Sequence, residues 1–133
     1  MPSAPTFTFA VHPERLAIAR LQPDAPVPAW ARGAFVTVSR TRSELSIVCA
    51  QQHVPADVQH ERDRIAFGIA GTVPMTSVGI LASLCGALAG ARAPVFAIST
   101  FDTDYLLVAA AHAEAAQRAL QALGHRFEGP LPQ

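Results

Sequence analysis

Ala97-Ile98-Ser99-Thr100-Phe101-Asp102-Thr103-Asp104-Tyr105-Leu106-Leu107-Val108 sets two carboxylates and two threonine hydroxyls between two runs that read as buried β-strand. Alternation and β-rich composition mark residues 93–101 and 105–109 as strands, which makes Asp102-Thr103-Asp104 their hairpin connection. In extended chain Asp102 and Asp104, two positions apart, face the same way. Asp and Thr also favour tight turns by bonding their own backbone, so turn chemistry alone explains this composition. The rest of the chain has to decide between the two.

Working outward, residues 6–11 and 15–21 read as a hairpin around His12-Pro13-Glu14. A proline-rich connection over 23–28 leads to a short helical turn at 28–32, with proline at its first position. Residues 34–39 and 45–50 form a second strand pair, followed by a short helix at 55–61. Beyond it come a strand at 64–70, a helix at 77–91, the hairpin, a helix at 112–123 and a terminal strand near 125–128. In the last helix Ala116, Leu120 and Leu123 recur at helical spacing, and Gly124 is placed to cap it. Eight strands and four helices are twice a βαββαβ unit, the ferredoxin-like arrangement, and define an α+β fold. Two strands precede the first helix where one unit needs only one. The strand at 6–11 is therefore expected to be lent to the other half.

Composition excludes several classes. Half of the 133 residues are hydrophobic and 15% are charged, which fits one compact unit or two small ones sharing a core. Formal net charge is zero, so the long-range attraction used by nucleic-acid and anionic-membrane binders is missing. From Ile65 to Ala91 there is no charged residue, but Gly71, Thr72, Pro74, Thr76 and Ser77 split the run into pieces too short to span a bilayer. Cys49 and Cys85 sit in apolar runs and read as small hydrophobes; a disulfide is not expected. His12, His53, His60, His112 and His125 are scattered and read as solvated surface residues, with no metal-ligand spacing among them. No nucleophile–base pair, phosphate loop or cofactor motif is visible.

Pro26-Val27-Pro28-Ala29-Trp30, Glu44-Leu45-Ser46-Ile47-Val48-Cys49, Gly79-Ile80-Leu81-Ala82 and the block from Phe96 to Tyr105 together carry a resemblance. In that order they resemble the tandem ACT-domain proteins, small amino-acid-binding regulatory modules. The likeness is strongest to a short bacterial subfamily related to the animal arginine sensors and to the regulatory half of aspartate kinases. The resemblance implies two ferredoxin-like ACT units, residues 1–62 and 63–133, fused by the exchanged strand, with antiparallel sheets and helices on one face. The segment 51–63 departs from the pattern by lacking the tryptophan that often precedes the central strand.

The residues make physical sense as a clamp for a free amino acid. A zwitterion needs one anion-binding and one cation-binding feature. Ser77, Val78, Gly79 and Ile80 lie at a helix start, whose unpaired N–H groups and dipole suit a carboxylate. Ser77 is also a natural N-cap. Asp104 or Asp102 accepts hydrogen bonds from the ammonium group, while Thr100 and Phe101 line a side-chain pocket. By resemblance, the facing wall is Ser46, Ile47 and Val48 of the other unit. Trp30, the sole tryptophan, reads as a packing anchor. The expected protein is a non-catalytic, cytoplasmic regulatory module without cofactor or metal. It binds an amino acid between its two ACT units and passes the signal through a homodimer or a regulated protein partner, with no nucleic acid and no membrane. The alternative is a structural or partner-binding ACT module without a ligand, and after that a small enzyme.

Overall fold

The structure is a computed structural model that describes residues 5–133. The chain divides into two compact units, one formed by Glu14–Arg64 and the other by residues up to Pro13 together with Ile65–Gln133.

The smaller unit is an antiparallel sheet built from β2 (Leu16–Leu21), β3 (Thr37–Arg40), β4 (Leu45–Ala50) and the first half of β5 (His60–Ile69). Its order is β3-β4-β2-β5. Period-two alternation makes one core face: Ala17 pairs with Cys49, Ala19 with Ile47 and Leu21 with Leu45. These residues, apart from half-buried Leu21, are closed off from solvent and pack with Val54 and the half-buried Trp30. Burial pushes the Cys49 thiol pKa up, as suits a packing role. The helical turn expected at 28–32 is present as a turn, and the helix expected at 55–61 is absent. Each is a single turn, closed by Ala31 N–H to Pro28 O at 3.1 Å and by Val58 N–H to Pro55 O at 3.1 Å. The second was misread because β5 starts at His60, four residues before the expected 64, and recruits this polar stretch to pair with β2.

One extra residue interrupts that pairing. Leu16 faces Arg64 and Ile18 faces Glu61, so β5 spends three steps where β2 spends two, a β-bulge. Asp63 carries the kink, with a left-handed φ of 60°. Its carboxylate accepts hydrogen bonds from Arg15 at 3.1 Å and Gln51 Nε2 at 3.2 Å, and its N–H donates to Gln51 Oε1 at 2.7 Å. The Arg15 guanidinium first, then the Gln51 amide, holds the Asp63 pKa below its ordinary value of 3.8. A carboxylate depressed in this way stabilises the fold above that pH, and the contribution is lost as pH falls through the folded value. Asp63→Val should cost about 1–2 kcal/mol from the backbone alone, whereas Asp63→Asn, which tolerates this φ, should cost less. Urea unfolding of the pair checks it; equal losses would mean that the charge rather than the bulge matters.

The larger unit orders its strands β6 (Phe96–Ser99), β7 (Asp104–Ala109), the second half of β5, β1 (Thr8–Val11) and β8 (Arg126–Glu128). β1 runs antiparallel to β5, with Phe9 opposite Ile69, and β6 runs antiparallel to β7. The β1–β8 pair is parallel, a correction to the all-antiparallel expectation. Helices α1 (Ile80–Gly90) and α2 (Ala113–Ala122) cover one face. There Phe9, Val11, Ile65, Phe67, Ile69, Leu106 and Val108 meet Leu84 and Leu88 of α1 and Ala116 and Leu120 of α2. The fold is thus α+β with ferredoxin-like, helix-on-sheet packing, and α1 and α2 are the two α-helices among the described residues. Gly124 ends α2 with φ 98°, its N–H bonded to Gln121 O at 2.9 Å.

His125, expected at the surface, is instead 6% exposed. Its Nδ1 accepts the Phe7 N–H at 3.0 Å, and its ring stacks on Phe7 and meets the edge of Phe9. On the sheet face away from the helices, Gly68 lies under the Tyr105 ring. A Cβ at residue 68 would sit 2.7 Å from Tyr105 Cε1. Gly68→Ala should therefore cost about 1–3 kcal/mol by forcing the ring aside. The double variant with Tyr105→Ala should lose less than the sum of the two single changes, as a double-mutant cycle in urea would show.

Candidate functional site

The hairpin and the start of α1 enclose a cleft of about 330 Å³. α1 begins at Ile80, three residues later than expected, and its N-cap is Gly79 in the left-handed conformation (φ 83°, ψ 0°) with no capping side chain. Ser77 is therefore not the cap; its N–H closes a turn onto Pro74 O at 3.0 Å. A Cβ on Gly79 would meet nothing within 4 Å, so φ rather than space calls for glycine. The first intrahelical bond from this cap is Ser83 N–H to Gly79 O at 3.0 Å. The amides of Ile80, Leu81 and Ala82 therefore have no intrahelical partner, and all three residues line the cleft.

The opposite wall is the β6–β7 connection, four residues long from Thr100 to Thr103. It is closed by Thr100 N–H to Thr103 O at 2.8 Å and by Thr103 N–H to Thr100 Oγ1 at 3.2 Å. Thr103, 8% exposed, anchors it by donating its hydroxyl to Ile69 O at 2.8 Å. Val73 N–H donates to Asp102 O at 2.7 Å and ties the loop before α1 to the hairpin. Asp104 opens β7 opposite Ser99, whose hydroxyl donates to Asp104 Oδ1 at 2.6 Å. That bond holds one oxygen of the Asp104 carboxylate, and both residues line the cleft.

Of the residues singled out in sequence, Ser77, Gly79, Ile80, Thr100 and Asp104 line this cleft together. Asp102 does not join Asp104: the turn rotates the chain between them, and Asp102 lines a separate cleft with His12 and Tyr105. Phe101 is 81% exposed and Val78 94% exposed, the latter at the mouth of a smaller apolar pocket beside Phe7 and His125. Ser46, Ile47 and Val48 belong to the Glu14–Arg64 unit. There Ile47 and Val48 are buried, while Ser46 lines a small cleft with Arg20, Glu44 and Glu61. Sequence reasoning passed over Ser99 and Thr103 as site residues, although the hairpin register, once known, pairs Ser99 with Asp104. Among the described residues no three His, Cys, Asp or Glu converge as a metal site, and no helix is long and apolar enough to cross a membrane.

A ferredoxin-like sheet with two helices on one face, and a cleft where the first helix meets the hairpin turn, places the larger unit in a class of small α+β domains. The chain belongs to the ACT-domain family. The model of the ACT domain matches residues 59–122, and a second model, described as an N-terminal domain, matches residues 14–57. An Agobacterium tumefaciens protein of known crystal structure is 34% identical, with a TM-score of 0.88 and 94% of both chains covered. The regulatory subunit of aspartate kinase from Thermus flavus shares the fold at 15% identity and a TM-score of 0.62, covering 87% of this chain and 96% of its own. A Vibrio cholerae protein described as a possible transport protein does so at 18% identity and a TM-score of 0.65, covering 90% and 88%. No curated protein sequence matches the chain.

Proposed function

We propose that this chain is a non-catalytic regulatory module that binds a free α-amino acid in the cleft between α1 and the β6–β7 turn. The observation that carries the proposal is the placement of opposite polar features across one cleft of small-molecule size. Unpaired amides at Ile80, Leu81 and Ala82 lie on one side, and the Asp104 carboxylate lies on the other. The amides and the helix dipole suit the ligand carboxylate, and Asp104, steadied by Ser99, accepts from the ammonium group. Hydrogen bonds to charged groups contribute roughly 1.5–3 kcal/mol each, so two or three of them, less ordering costs, match micromolar to millimolar affinity. The resemblance to aspartate kinase regulatory subunits supports a regulatory rather than a catalytic role. In this reading the signal passes by contact, through a homodimer or a regulated protein partner in the cytoplasm. Such coupling requires the ligand to bind two states unequally.

A thermal-shift screen of the purified chain against the twenty amino acids at millimolar concentration tests this. A ligand at about 100 times its dissociation constant adds roughly 2.7 kcal/mol, a rise of roughly 5–15 °C for a chain of this size. The shift should vanish in Asp104→Ala. A folded sample that responds to no amino acid would refute the proposal.

A further inference from the structure

If the cleft binds an amino acid as proposed, its lining also restricts the ligand's side chain. Among the residues that line it, Asp104 is the only charged one. Asp104 is consumed by the ligand's ammonium group, and the ligand's carboxylate is consumed by the helix amides. A third charge, on the ligand's side chain, would have no counter-ion among the lining residues.

Apart from hydroxyls, what such a side chain would meet instead is apolar. Ile80 and Leu81 are half-buried, and Met75 is 75% exposed, at the cleft. Covering them is favourable for hydrocarbon, whereas desolvating an unpaired charge against them is costly. The hydroxyls do not change this. Ser99 donates to Asp104 at 2.6 Å, Thr100 to Thr103 O at 3.1 Å and Thr103 to Ile69 O at 2.8 Å. These three are engaged in holding the turn, which leaves the exposed Ser77 hydroxyl as the one further hydroxyl lining the cleft and no charged partner for a third ligand charge. The volume is a further limit: about 330 Å³ is at the small end for a ligand site.

We infer that the ligand is an α-amino acid with an uncharged aliphatic or thioether side chain, and that lysine, arginine, aspartate and glutamate are excluded. Isothermal titration of the full chain with leucine, isoleucine, valine, methionine and those four charged amino acids decides it. At least one member of the first group should bind at least tenfold more tightly than every charged one, with binding lost in Asp104→Ala. Met75→Glu, which places an acid at an exposed position on the rim, should gain a response to lysine or arginine. A charged amino acid that binds the unmodified protein as tightly as the aliphatic ones, and loses binding in Asp104→Ala, overturns the inference while leaving the amino-acid reading intact. Binding of none of the eight overturns it as well. The twenty-compound thermal screen then separates the cases: a response to some other amino acid keeps the broader reading, and none refutes both.

Discussion

Replacing Phe67 by alanine should destabilise the larger unit by about 3–5 kcal/mol. Phe67 is fully buried at the middle of the β5 segment that faces the helices, and its ring meets Phe127 edge-to-face with centroids 5.0 Å apart. Truncation removes its transfer free energy and leaves a cavity between sheet and helices that only partial relaxation can fill. An aromatic pair worth about 0.5–1.5 kcal/mol beyond its area is lost with it. Far-UV circular dichroism in urea is the appropriate probe, because both α-helices belong to this unit. Phe67→Leu, closer in volume, should lose clearly less. Equal losses in the two variants would mean that the ring's shape and its contact with Phe127 dominate over volume.

The second large effect comes from His125. Its Nδ1 accepts the Phe7 N–H, so in the folded state the ring proton sits on Nε2 and the ring is neutral. Burial pushes its pKa below the ordinary value of 6.5. The groups packed on it are the rings of Phe7 and Phe9, with Arg126 the adjacent charge along β8. The unfolded chain therefore takes up the proton first as pH falls. Stability from this site is complete above about pH 6.5 and is lost as pH falls toward the folded pKa. His125→Ala leaves a backbone donor unpaired and removes two ring contacts, for a cost of about 2–4 kcal/mol at neutral pH. His125→Asn keeps an acceptor near Nδ1 but does not titrate, and it should flatten the slope of unfolding free energy between roughly pH 7 and 5. An unchanged slope in His125→Asn would assign the pH dependence to other histidines.

His125 also shows where sequence reading runs out. A histidine after a helix-capping glycine looks like a solvated end residue, and only the parallel docking of β8 on β1 brings Phe7 and Phe9 around it. Asp102 and Asp104 teach the same lesson at the site. Same-face placement holds in extended chain, but a four-residue turn pinned by Thr103 to Ile69 O sends the two carboxylates into different clefts. The expected helix over 55–61 failed for a related reason. Local composition allowed a turn of helix there, and pairing with β2 claimed residues from His60 onward for strand.

What the amino-acid sequence determined by itself was whatever depends on local periodicity and special residues. The alternation of Leu45, Ile47 and Cys49 and of Ile65, Phe67 and Ile69 made strands with one buried face. The spacing of Ala116 and Leu120, with Gly124 beyond, made a helix and its stop. The block from Phe96 to Tyr105 marked the family. The tertiary structure alone decided which strands are neighbours, where α1 starts, which aspartate reaches the cleft and which histidine is buried. Those outcomes turn on contacts between residues as far apart as Phe7 and His125, whose free energy is not written in any short window of sequence.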